Sequence, residues 1–142
     1  MRIRLSRRTA AANSTSGPQS VGPARVDRRT KALTKRLREG DVAVIDHIDL
    51  DRVSAEALVA CKPAAVLNAA ASTSGRYPNL GPGILIEAGI PLVDELGSEV
   101  MAIKDGATIT ITDGVVSVGG TTVAEGVRQT EETVETAQAL AR

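Results

Sequence analysis

Apolar and polar positions change rhythm twice along the chain. Residues 1–24 mix arginines with Asn13-Ser14-Thr15-Ser16-Gly17-Pro18 and Gly22-Pro23. They offer little to bury, and a disordered basic arm is expected there. DRRTKALTKRLR (27–38) spaces Leu33 and Leu37 four apart on one helical face, with Asp27 as a candidate cap. It forms the heart of a basic helical segment over 25–39. From Gly40 the apolar positions come in short, dense runs. DVAVID (41–46), AAVLNAA (64–70) and IPLVDEL (90–96) have the texture of buried strands. Between them, RVSAEALVA predicts a helix capped by Asp49 or Asp51, with Val53, Ala57 and Leu58 facing inward. ILIEAG (84–89) predicts another, ended by Gly89. GSEVMAIKDG (97–106) predicts a turn or short helix, with Ser98 as cap and Gly106 as stop.

The second change comes at Ala107. ATITIT alternates with period two, Asp113-Gly114 is a two-residue hairpin signal, and Gly119-Gly120 repeats it between VSV and TTV. A β-meander over 107–125 follows. TEETVETAQALAR (130–142) predicts a terminal helix, with Glu131 and Glu132 in its first turn. Thr133 stands where a capping box from Thr130 would carry Glu or Gln. The helical pattern runs into Arg142 without a C-cap, so a longer chain or a docking partner is expected beyond it. The fold class is α/β: a mixed sheet with crossover helices, a C-terminal β-meander and a terminal helix.

Charge alters this picture more than composition does. The 142 residues carry 17 basic and 17 acidic side chains, a formal net of zero. Residues 1–38 hold 11 Arg/Lys against one acid, and the remainder holds 6 against 16. A +10 arm is thus joined to a −10 body. Arg25, Arg28, Arg29, Lys31, Lys35 and Arg36 are candidates for electrostatic contact with an acidic partner or a membrane surface. One Tyr and no Phe or Trp leave only Tyr77 to stack a base, so single-strand and RNA-binding sheets are excluded, and no nucleic-acid partner is expected. The lone Cys61 permits no internal disulfide and fits a small apolar position in a reducing cytoplasm. No apolar run spans a bilayer, and the N-terminus has no signal-type apolar core.

The segment richest in candidate chemistry is Ser72-Thr73-Ser74-Gly75-Arg76-Tyr77-Pro78-Asn79-Leu80-Gly81-Pro82-Gly83. It lies between a strand end and a helix start. Small residues allow close backbone approach, and Arg76 adds a fork of donors. Ser72, Ser74, Gly75, Arg76, Tyr77 and Asn79 are therefore candidates for binding an anion, a phosphorylated ligand or a partner. The segment matches neither a P-loop nor GxGxxG. Asp46-His47-Ile48-Asp49-Leu50-Asp51 invites a metal reading, but strand end, helix cap and loop account for it, and no metal site is expected. Ser72 or Ser74 with His47 and an Asp could compose a nucleophile set, yet no GxSxG elbow is present. No catalytic residue is assigned.

Ala24-Arg25-Val26-Asp27, GDVAVIDHIDLDRVSAEALV (40–59) and LNAAASTSGRYPNLGPGILIEAGIPLVDELG (67–97) together resemble the N-terminal region of the SteA-type cytokinetic ring proteins of actinobacteria. SGRYPNLGP (74–82) is the most specific part of the match, which covers about residues 22–142. The resemblance implies a longer protein, with a thiamine pyrophosphokinase-like domain downstream and a membrane partner. ATP and Mg would belong to that domain, and no cofactor is expected in these residues. GIPLVDELGSEVMAIKDGATITITDGVVSV (89–118) is also similar to the end of the swivelling phosphohistidine domain of phosphoenolpyruvate-utilising enzymes. That likeness implies a swivelling β/β/α domain over 40–126, then a C-terminal helix over 127–142 that begins a linker. The carrier histidine of those enzymes has no counterpart, because its place reads Ser72-Thr73-Ser74-Gly75-Arg76.

The expected function is a non-catalytic regulatory or binding domain of a cytokinesis-associated protein. It would be cytoplasmic and recruited to the membrane at the division site, with protein partners of the division machinery, a membrane protein among them, and a capacity for homo-oligomers. The rival expectation is the front part of a kinase whose catalytic domain lies beyond Arg142. A further rival is a phosphocarrier using His47, for which no phosphorylation is expected.

Overall fold

A computed structural model of the chain describes residues 19–76 and 79–141. Three short apolar runs form the parallel strands β2 (Val42–Ile45), β3 (Ala65–Asn68) and β4 (Leu92–Asp94). Every residue in them is buried, as strands covered on both faces require. A further parallel strand, β1 (Gln19–Val26), precedes them. The crossovers are the helices α1 (Thr30–Thr34), α2 (Arg52–Ala60) and α3 (Gly81–Glu87). The meander supplies β5 (Thr108–Thr112), β6 (Val115–Val118) and β7 (Thr121–Glu125), all antiparallel. A two-residue strand β8 (Val127–Arg128) and the helix α4 (Glu131–Ala141) end the described chain. The sheet order is β7-β6-β5-β1-β2-β3-β4-β8. The fold is thus mixed α/β, as the periodicities predict.

Alternation along β2 divides the core in two. Ala43 and Ile45 pack with Leu33, Leu37, Leu58, Leu85 and Leu92 beneath the helices. Val42 and Val44 point the other way, to Leu67, Val93, Val100, Ile109, Ile111 and Val116. The strand β7, at one end of the sheet order, touches the 3-10 helix Ser98–Ala102 that follows β4, and that helix touches β2. The sheet therefore curls, and its meander helps to cover the face opposite the helices. Asp113 (φ 54°) and Gly114 form the first meander turn, and Gly119 (φ 60°) with Gly120 (φ 82°) forms the second.

Several sequence expectations need correction. Residues 19–24 are not part of a disordered arm: they build β1, which lies inside the sheet. Small residues hide this strand from a hydrophobicity reading, since its buried positions include Gly22 and Ala24. Pro23 is tolerated because β1 pairs with β5 over 19–23 and with β2 only from Ala24. The basic helix over 25–39 shrinks to Thr30–Thr34, because Arg25 and Val26 belong to β1. Arg29, not Asp27, is its N-cap, and the Asp27 carboxylate accepts from Arg29 N–H instead. The α/β unit is consequently wider than 40–126. Residues 127–128 are a strand on β4, so the last helix starts at Glu131 rather than Val127.

Smaller shifts follow the same logic. Asp51 caps α2 by accepting from Ser54 N–H, while Val53 is 73% exposed and Ala55 takes the inward place with Leu58. Ala57 is half-buried. Gly97 rather than Ser98 caps the 3-10 helix. Thr130 and Thr133 cap α4 reciprocally, each hydroxyl accepting from the other's backbone N–H, so Thr133 stands in for the missing Glu. Cys61 is half-buried, donates weakly to the Thr34 carbonyl, and has its thiol pKa pushed up by burial.

Three backbone segments stack without side chains between them. A Cβ on Gly114 would overlap the Gly126 carbonyl, and a Cβ on Gly126 would overlap the Asp94 carbonyl. Gly22 stands likewise against the Gly40 carbonyl. Gly22→Ala should therefore lower stability by about 1–3 kcal/mol in urea unfolding. In a disordered arm the same change would be neutral or slightly stabilising.

Candidate functional site

Each inner parallel strand hands over to a polar group at its carboxyl end, the usual place for sites in open α/β sheets. Asn68 ends β3 and Asp94 ends β4, and neither is exposed. Asn68 Oδ1 accepts from the backbone N–H of His47 and Ala70, and its amide donates to the His47 carbonyl and to Ser72 Oγ (2.7 Å). Ser72 Oγ in turn lies 2.5 Å from Asp94 Oδ1, and Ser72 N–H donates to Asp94 Oδ2. Gln129 Nε2 donates to the same Oδ2 at 2.8 Å. Gln129 Oε1 accepts from Thr133 in the first turn of α4. Burial pushes the Asp94 carboxyl above its ordinary pKa, and the bonds from Ser72 and Gln129 oppose that without cancelling it.

This network pins the start of the 72–83 loop, and Asn79 anchors the chain just before α3. Its side-chain amide donates to the carbonyls of Leu50 (2.9 Å) and Ser72 (2.7 Å). Its backbone N–H donates to Gln138 Oε1 on α4, and its carbonyl accepts from the Gln138 amide. Ser74 donates through N–H and Oγ to Asp49, and Ser74 Oγ accepts from Arg76 N–H. Gly75 (φ 80°) makes the bend that this requires, with Leu140 beside it. The six candidates are thus unlike one another. Ser72 and Asn79 are buried and bonded within the protein, Ser74 is committed to Asp49, and Arg76 is exposed. Tyr77 lies outside the described residues. Asn79 Oδ1 and Thr73 Oγ1 are buried with no hydrogen-bond partner among the described residues.

A Cβ on Gly81 would overlap the Leu50 carbonyl, so that backbone abuts the first turn of α3. The helix itself is only seven residues long. His47 does not join Ser72 or Ser74. Its Nδ1 is 2.8 Å from Thr30 Oγ1 and its Nε2 is 3.3 Å from Asp51. Thr30 is only 4% exposed, so this hydroxyl–imidazole–carboxylate chain ties α1 to α2 and offers no accessible nucleophile. Burial acts to raise the Asp51 carboxyl, but the bonds from Ser54 and the nearby His47 together bring it below its ordinary pKa. Among the described residues, no group of three or more His, Cys, Asp or Glu is placed to hold a metal ion.

The basic candidates also divide. Arg25 pairs with Asp41 (3.4 Å) and Asp105 (3.6 Å), and Arg36 with Asp105 (3.0 Å) and the Val26 carbonyl. A desolvation effect at Asp105 is outweighed by the bonds from Val26 and Arg36 and the charge of Arg25, so its carboxyl sits below its ordinary pKa. Arg28, Arg29, Lys31 and Lys35 are exposed, and none forms an ion pair among the described residues. Sequence reasoning missed Asn68, Asp94 and Gln129. The available signal was the polar residue that closes each apolar strand run.

No helix among the described residues is long and apolar enough to cross a membrane. No family model matches the chain, and no curated protein matches it either.

Ser72→Ala leaves the Asn68 amide and Asp94 short of a partner and should cost about 1–3 kcal/mol in urea unfolding. The titration of Asp94 has its own signature. Its folded-state pKa lies above the unfolded value, so its contribution is greatest below the unfolded pKa and declines as pH rises through the folded one. Asp51 and Asp105 act oppositely, losing their contribution as pH falls through their depressed values. Asp94→Asn removes only the first effect. The unfolding free energy of that variant, measured against the parent at a series of pH values, should gain on it as pH rises. A difference constant with pH would contradict the raised pKa.

Proposed function

We infer that the chain is a non-catalytic binding domain of a cytokinesis-associated protein, and that it acts through the surface of the 72–83 loop. The observation that carries this reading is the contrast within that loop. Bonds at Ser72, Ser74 and Asn79 fix its backbone from below, while Arg76 stands exposed on top. A connection that merely joined β3 to α3 would need no such reinforcement. An exposed guanidinium next to these bonded positions suits recognition of a carboxylate or phosphate on a partner.

A protein partner fits better than a small phosphorylated ligand. Leu80 (62% exposed) and Leu140 (75% exposed) lie on the same loop and beside Gly75 respectively, and exposed aliphatic side chains near an arginine suit a protein contact. The cellular setting rests on the resemblance of residues 22–142 to the SteA-type proteins, above all in SGRYPNLGP. The curled sheet with helices on one face supports the finer swivelling β/β/α reading. Arg28, Arg29, Lys31 and Lys35 would add salt-sensitive attraction to an acidic partner or membrane.

The test is localisation of a fluorescent fusion of the full chain in dividing cells of its own host. Accumulation at the division site is expected, and Arg76→Glu should abolish it while leaving the thermal unfolding midpoint unchanged. Uniform distribution of the parent, or septal accumulation of the variant equal to the parent, would overturn the reading.

A further inference from the structure

A cleft of about 700 Å³ runs between α3 and α4, on the helical side of the loop. Leu80, Ile84, Ile86 and Val134 give it an apolar lining, and Glu87, Glu131 and Glu135 give it an acidic rim. Arg52 is its one basic lining residue, and Arg52 already pairs with Glu56 at 3.1 Å on its own helix. Among the described residues, none of the three rim glutamates has a cationic partner. The cleft therefore calls for a segment that carries both apolar anchors and positive charge.

The chain contains one. Residues 1–8, MRIRLSRR, hold Arg2, Arg4, Arg7 and Arg8, no acid, and the aliphatic pair Ile3 and Leu5. In an extended conformation Ile3 and Leu5 share one side and Arg2 and Arg4 the other. The first side matches the floor of the cleft and the second its rim. The exposed surface around α1 is a poorer match: it offers Arg28, Arg29, Lys31 and Lys35, but the nearby leucines, Leu33 and Leu37, are buried in the core. Reach is not limiting. Eighteen residues precede Gln19, and such a length extends to about 60 Å, whereas a domain of this size is about 35 Å across.

We propose that residues 1–8 dock in the α3–α4 cleft of their own chain, with Ile3 and Leu5 on Ile84 and Val134 and the arginines against Glu87, Glu131 and Glu135. The docked segment would neutralise the acidic end of the helical layer. It would also lie next to Leu80, so a partner approaching the 72–83 loop would meet the tail or displace it. This assignment does not depend on what that partner is.

Limited trypsin digestion of the full chain tests it, with cleavage after Arg4, Arg7 and Arg8 followed by mass spectrometry. A docked segment is cut only from its open form. Glu87→Lys, and separately Glu131→Lys with Glu135→Lys, should each speed cleavage about fivefold or more, because proteolysis follows the open population. Ile3→Ser with Leu5→Ser should do the same, as should raising the salt. Glu87 is exposed in the last turn of a helix, where Lys suits the dipole, so that variant tests the charge without unfolding α4. Equal cleavage rates in parent and Glu87→Lys would overturn the proposal. Protection that rises with protein concentration would put the tail in the cleft of a second copy, and would overturn the intramolecular assignment.

Discussion

The carboxyl edge of this sheet depends on one carboxylate taken out of water. Asp94 receives Ser72 from the β3 side and Gln129 from the α4 side, and Asn68 holds Ser72 from behind. Four chain segments thus meet on a buried group that water cannot serve. Leaving such a group unpaired is costly, so the segments are bound to arrive together. The apolar core alone would not position them, because dispersion and hydrophobic burial have no direction. The polar network sets where the loop after β3 leaves the sheet, and the loop in turn sets where Arg76 stands.

The parts of the fold legible in the sequence were those in which neighbouring residues carry the signal. VAVI, AVLN and LVD are dense apolar runs, TITIT alternates, and Asp113-Gly114 can hardly be anything but a turn. The illegible parts depend on partners far away in the chain. QSVGPARV becomes a strand because β5 and β2 take up its backbone bonds in succession, a fact that no window around Pro23 contains. Val127–Arg128 is a strand only because β4 has a bare edge. The site shows the same division. The loop 72–83 was recognisable from its composition, whereas the inward turn of Ser72 and Asn79 follows from Asp94 and Leu50, both more than 20 residues away.

Charge segregation also acquires a shape. Part of the basic half is consumed internally, since Arg25 and Arg36 bind Asp41 and Asp105 and hold the end of β1 to the turn before β5. Among the described residues of that half, the other cations lie around α1, at one end of the helical layer, and glutamates without an ion pair among the described residues lie around α3 and α4 at the other. Among the described residues, the two ends of the helical layer thus carry opposite charge, and a charged surface would meet them differently.

The stack of Gly114, Gly126 and the Asp94 carbonyl connects the first meander turn to the edge of the parallel sheet through backbone alone. Side chains can repack around a disturbance, but touching peptide units have no such slack. A displacement of that turn therefore bears directly on the strand end that carries Asp94. The meander, which supplies no residue to the loop or its network, is in this respect a lever with its short arm against the site.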